Sequence, residues 1–110
     1  MPIATRYEAA EPTRESVDTM EGATLLEFGS PTCGHCRIAQ PLIQNALAEN
    51  PGVRHIKIED GSGRRLGRSF GVKLWPTLVL MINGKEVARV VRPRDAQPIR
   101  EALGAACAGA

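Results

Sequence analysis

Aromatic side chains are nearly missing from this chain: one Trp, one Tyr and two Phe among 110 residues. Charge of one sign is also lacking, with a net charge of only +2. Together these remove the basic, aromatic-interleaved surface by which nucleic-acid binders are recognised. No segment approaches the ~20 consecutive apolar residues of a membrane span. The opening Met-Pro-Ile-Ala-Thr-Arg-Tyr-Glu has no apolar run of signal-peptide length, so the expected address is the cytoplasm. Cysteine is scarce as well. Cys33, Cys36 and Cys107 are too few and too unevenly placed to staple a scaffold.

What remains is an ordinary globular composition, 43% hydrophobic and 24% charged. With no repeats or low-complexity linkers, residues 1–110 make one domain, since half of it could not bury a core. The densest basic run, Arg64-Arg65-Leu66-Gly67-Arg68, reads as a solvated helix face; attraction of an acidic partner is the other reading.

Residues 1–12 form a weakly patterned arm in which Ile3, Thr5 and Tyr7 alternate as in a short edge strand. Thr13 suits the cap of a helix running to Met20, closed by Gly22. Leu25-Leu26-Glu27-Phe28 predicts a buried strand. Between Cys36 and Ala48, Ile38, Ala39, Leu42, Ile43, Ala46 and Leu47 recur at helical spacing, and Asn50-Pro51-Gly52 ends the run. A strand over 53–58, a short helix over 62–70 and a loop over 71–76 follow. Asn83-Gly84 predicts a type I′ hairpin between strands at 77–82 and 86–91. Asp95 suits the cap of a last helix burying Ile99, Ala102, Leu103 and Ala106, with 105–110 as a frayed tail. The order (β)αβαβα followed by ββα implies an α/β fold, with helices on both faces of a mixed sheet of four to five strands.

Cys33-Gly34-His35-Cys36 carries the chemistry. Cys33 falls where a loop ends and a helix begins, and there free amides and the helix dipole favour a thiolate. Cys36 stands about one turn on, near enough to close a disulfide with Cys33. The exposed thiolate attacks a substrate disulfide and the second thiol resolves the mixed disulfide. Gly34 and His35 tune the equilibrium, a cationic His35 favouring the reduced form, and Arg37 adds charge. A zinc site would have to draw on Cys107, His35 and His55, and His35 cannot easily wrap the same metal as the cysteines flanking it. An inert structural pair is the remaining alternative.

These residues resemble a known family. Phe28, Cys33-Gly34-x-Cys36, Ala39 and Pro41 are similar to the active-site strand and kinked helix of the thioredoxin family. Phe70-Gly71-Val72, Pro76-Thr77 and Asn83-Gly84-Lys85 resemble its approach to the cis-proline and its hairpin turn. The likeness spans roughly residues 22–103, and the cysteine motif is similar to that of protein disulfide isomerase domains. It implies the thioredoxin fold, a Pro41 kink, and Pro76 as a cis-proline facing the cysteines. Trp75 would pair its backbone with substrate as an added strand. Glu27 takes the place of the family's buried acid and Lys57 that of its lysine. Glu27 is expected as a carboxylate of raised pKa that deprotonates Cys36, the alternative being that it reaches solvent with Lys57.

Three positions depart from the family: Gly29 and Thr32 stand where tryptophans are usual, and Trp75 is unusual before the cis-proline. Trp75 is a displaced substrate platform or merely a cover for the rim. His55 reads as a rim or core histidine. Cys107 reads as incidental, with a dimer-forming thiol as the alternative. The implied activity is dithiol–disulfide exchange on protein substrates, with the chain expected to act as a disulfide reductase. No metal or cofactor is needed beyond the Cys33–Cys36 pair, the donor is a reductase or glutathione, and the chain is expected to be a monomer. A binding module using the Trp75–Pro76 rim, or an exchanger leaning to oxidation or isomerisation, are the other readings. Thioredoxin and protein disulfide isomerase lie ~90 mV apart, ~4 kcal/mol for two electrons, and the motif does not choose between them.

Overall fold

The computed structural model describes residues 4–109, with side chains described through residue 104. Thr13 caps α1 (Arg14–Asp18), its hydroxyl accepting the Ser16 amide at 3.1 Å; the helix closes short of Met20. β1 (Ala23–Gly29) leads into α2 (Gly34–Ala48), β2 (Arg54–Glu59), α3 (Leu66–Ser69), β3 (Thr77–Ile82), β4 (Lys85–Val91) and α4 (Gln97–Gly109). Asp95 Oδ1 accepts the Gln97 amide at 2.8 Å where α4 begins. The readings of Ile3, Ala106 and Cys107 fall outside the described residues or side chains.

The sheet is four-stranded in the order β2-β1-β3-β4, with β1 and β2 parallel and the other pairs antiparallel. Where a fifth strand was expected, Tyr7 makes an isolated parallel bridge to Lys57, and the Glu8 amide donates to the Lys57 carbonyl at 2.9 Å. Alternation along β1 and β3 divides the core. Leu25, Leu78 and Leu80 join Ile43, Leu47, Ile99 and Leu103 on one face. Leu26, Phe28, Val79 and Met81 join Val17, Leu66 and Phe70 on the other. Both central strands are thus buried on both sides, as helices on two faces require.

The helix expected over 62–70 is a correction: α3 has only four residues. Gly61 (φ 144°) and Gly63 (φ 79°) hold backbone that a helix cannot use. Glu11, more than fifty positions earlier, then accepts the Arg65 and Leu66 amides at 3.0 and 2.6 Å and opens the helix from outside. Asn83 (φ 49°) and Gly84 (φ 81°) both take the positive φ that a type I′ turn needs. The hairpin end is tied down where the Gly22 amide donates to Asn83 Oδ1 at 2.7 Å.

Candidate active site

The C-terminal end of β1 delivers the chain into Cys33, which is itself the N-cap of α2. The Cys36 amide donates to Cys33 Sγ at 3.2 Å. The sulfur thus lies at the open N-terminal end of α2, against a free backbone amide. Both cysteines are free thiols, Cys33 partly exposed and Cys36 buried. Burial pushes the Cys36 thiol up to about 11, reinforced by its hydrogen bond with Cys33 and by the neighbouring negative charge. The two sulfurs are therefore unequal: one is reachable, the other held protonated.

Register explains what lies beneath them. Parallel pairing sets Glu27 beside Lys57 and Leu25 beside His55. Residues two apart share a face, so Glu27, His55 and Lys57 all face α2. Glu27 is fully buried. Its Oε1 meets His55 Nε2 at 2.8 Å, its Oε2 accepts from Gln40 Nε2 at 2.7 Å, and Lys57 Nζ lies 3.7 Å from Oε2. His55 Nδ1 accepts the Ala4 amide at 3.0 Å, so the hydrogen sits on Nε2 and is donated to Glu27. Lys57 Nζ donates to Gln40 Oε1 at 2.6 Å, closing the ring of contacts.

The expected role of Glu27 is corrected here. Burial opposes its ionisation, but hydrogen bonds from His55 and Gln40 and the charge of Lys57 outweigh it and hold the carboxyl below its ordinary range. Both oxygens are engaged, and neither is bonded to Cys36. Nor does it reach solvent. The group on the Cys36 sulfur is instead the Tyr7 hydroxyl, whose own pKa is driven upward by burial and by the charges of Cys36 and Glu27, so it stays a proton donor. Lys57 Nζ sits 4.6 Å from the centre of the Tyr7 ring.

Tyr7, Gln40 and His55 are the members that sequence reasoning missed or set aside. Gln40 was within reach, lying one turn beyond Cys36 on the same side of a helix. Tyr7 gave no such signal. A recess of about 140 Å³ opens onto this group, lined by Tyr7, Ser30, Pro31, Cys33, Cys36, Arg37, Gln40 and Lys57.

Gly29 is needed by this packing. A methyl group there would stand 2.7 Å from Cys36 Sγ and 3.0 Å from the Tyr7 oxygen. Gly29→Ala is expected to cost about 1–3 kcal/mol by overpacking and to shift the Cys36 titration. Urea unfolding and thiol titration check this, and an unchanged urea midpoint would refute the tight fit.

The opposite rim comes from β3. The Trp75–Pro76 peptide is cis, and Phe28 pairs with Thr77, which sets Pro76 alongside Gly29 at the cysteine end of β1. Thr77 is buried and its hydroxyl donates to the Leu74 carbonyl at 2.6 Å. Trp75 is half-buried, its indole donating to Asp60 Oδ2 at 2.9 Å, which fixes the ring. Its carbonyl already accepts from Arg92 Nε at 2.9 Å, leaving one lone pair for an added strand. Gly34 and His35 are exposed on the first turn of α2. Among the described residues no cluster of three or more His, Cys, Asp or Glu is placed to hold a metal ion, and no helix is long and apolar enough to cross a membrane.

A helix-capping cysteine, a buried partner thiol one turn on and a neighbouring cis-proline define a thiol–disulfide oxidoreductase. The chain belongs to the thioredoxin family, whose model matches residues 5–105. It is 51% identical to thioredoxin 2 from Pseudomonas aeruginosa PAO1, solved in its reduced form, with a TM-score of 0.87 over 98% of this chain and 100% of that one. It is 38% identical to a thioredoxin of Chlamydia pneumoniae over 67% of this chain and 72% of the relative. It is also 37% identical to human protein disulfide-isomerase A2, across 74% of this chain but 17% of that protein. As in its family, the redox centre is the protein's own dithiol, and the family implies protein disulfides as substrates and a reductase as donor.

Proposed function

We propose that the chain runs this exchange in the reducing direction, as a cytoplasmic protein-disulfide reductase that works as a monomer and helps maintain cell redox balance. The observation that carries the reading is the inequality of the sulfurs, Cys33 partly exposed at the helix cap and Cys36 buried with its thiol pushed up to about 11. The 51% identity to thioredoxin 2 of Pseudomonas aeruginosa PAO1, over 98% of this chain, supports the direction.

Cys33 thiolate attacks one sulfur of the substrate disulfide; that S–S bond breaks, and the departing sulfur leaves with the electron pair and takes a proton. Cys33 is then neutral in the mixed disulfide, so its negative charge no longer opposes ionisation of Cys36. Cys36 becomes more acidic when it has to act. It loses its proton, attacks Cys33 Sγ and releases the second substrate thiol. With both Glu27 oxygens engaged, the proton leaves through the recess beside Tyr7 and Lys57. Lys57 and the Tyr7 hydroxyl stabilise the thiolate it leaves behind. Glu27 is a positioning residue in this scheme, holding Gln40 directly and Lys57 through it. Trp75, Pro76 and Thr77 form the rim on which the substrate backbone lies. A reductase or glutathione then returns two electrons to the Cys33–Cys36 disulfide.

Equilibration in glutathione buffers, with insulin reduction run alongside, tests the direction. The expected potential lies near the thioredoxin value of about −270 mV, with rapid insulin reduction. A value near the isomerase pole of about −180 mV without insulin reduction would assign the chain to oxidation or isomerisation. That outcome would also favour His35 as the tuning residue.

A further inference from the structure

One recess at the active-site rim is not used by the exchange chemistry. It encloses about 290 Å³ between the first turns of α2 and the segment joining β4 to α4, lined by His35, Ile38, Arg92, Pro93 and Arg94. Its lining combines apolar and cationic groups and contains no acid. Ile38 is 68% exposed, a large aliphatic side chain left uncovered two positions after Cys36. Neither Arg92 nor Arg94 forms an ion pair among the described residues, whereas Arg14, Arg89 and Arg100 all do. Asp95, the adjacent carboxylate, is turned to the amide of Gln97.

Arg92 also occupies a backbone position that would suit glycine. Its φ is 47°, a left-handed conformation that residues bearing a side chain seldom adopt. It is held there by its amide on the Pro76 carbonyl and its Nε on the Trp75 carbonyl, both at 2.9 Å. The guanidinium therefore reaches from the edge where a substrate strand would lie into the uncovered recess. Its two terminal nitrogens have no hydrogen-bond partner among the described residues, and such a fork is shaped for a carboxylate.

We propose that this recess is a side-chain subsite for an acidic residue flanking the reactive cysteine of a protein substrate. Arg92 and Arg94 take the carboxylate, and Ile38 with Pro93 covers its methylenes. The subsite rests on the exchange reading above and gives that reaction a substrate class: disulfides set in acidic segments.

The test uses three peptides, each joined through its single cysteine to the same neutral chromogenic thiol, with Glu, Gln or Lys on either side of that cysteine. Second-order rate constants are measured with the reduced protein. The Glu peptide is expected to react about tenfold faster than the Gln peptide at low salt, the lower end of electrostatic enhancement, and the Lys peptide slower still. The advantage is expected to collapse above about 0.5 M salt. Arg92→Gln/Arg94→Gln is expected to bring the Glu/Gln ratio towards one. The charge-matched pair Arg54→Gln/Lys85→Gln, at the opposite end of the sheet, is expected to keep it. A wild-type ratio of one, or an equal loss in both double variants, would overturn the subsite. Failure of the wild type to react even with the Gln peptide would sink the exchange reading, and the subsite with it.

Discussion

Cys33→Ser is expected to bring protein-disulfide turnover down to background, at least ~1000-fold, the scale on which removal of a covalent nucleophile acts. Cys36→Ser is expected to fail differently. Cys33 remains partly exposed at the helix cap and still attacks, but nothing resolves the product, so a stable mixed disulfide accumulates. Non-reducing electrophoresis with a disulfide-bonded substrate separates the two outcomes, since only Cys36→Ser should carry a substrate adduct. Capture by Cys33→Ser through Cys36 would reverse the roles assigned to the two sulfurs. Resolution in the parent should also quicken as pH rises, by roughly tenfold per unit while Cys36 is mostly protonated, because only the thiolate attacks. Rapid-mixing measurements of the second step check that slope.

Glu27→Leu is expected to be the most damaging change away from the sulfurs. It removes the carboxylate and leaves the Lys57 ammonium, nearly buried, without a counter-charge. Breaking such a pair from one side costs about 3–5 kcal/mol. Glu27→Leu/Lys57→Met removes both charges and should recover most of that loss in urea unfolding, since buried pairs contribute little net stability. If the double variant were as unstable as the single one, the hydrogen bonds to His55 and Gln40 would be the dominant factor instead. The pH dependence follows from the sign of the shift. The Glu27 carboxyl is held below its ordinary 4.5 in the fold, so its contribution is complete above that value. It is lost as pH falls through the lower, folded value. The parent should lose stability on acidification below about 4.5 more steeply than Glu27→Leu, which has no such group to protonate.

Cys33, Cys36, Pro76, Glu27 and Lys57 are all legible in the sequence, taken with its family resemblance. Pro76 and Lys57 took their roles from the family resemblance alone, whereas the cysteines, one turn apart after a Gly-Ser-Pro loop, and Glu27, a charge in an apolar strand, carry local signals. The element order and the Asn83-Gly84 hairpin were legible for the same reason, since turn chemistry and side-chain periodicity act over a few neighbouring residues. The thioredoxin-type resemblance added the pairing of Glu27 with Lys57, which no local pattern could supply.

Tertiary structure decided the rest. The length of α3 depends on a carboxylate from Glu11 more than fifty positions away, and periodicity cannot register such a cap. Tyr7 lies on an arm with little pattern of its own, and only its bridge to β2 brings its hydroxyl to Cys36. His55 and Gln40 join Glu27 because parallel register and the packing of α2 turn all three to one face. That enclosure reverses the expected ionisation of Glu27: burial alone would raise its pKa, and only the donors gathered around it bring it down. The sequence by itself determined which sulfur chemistry this protein performs, because that chemistry resides in four consecutive residues. The three-dimensional fold decided how the second sulfur is held and released, because its surroundings come from β1, β2, α2 and the N-terminal arm together.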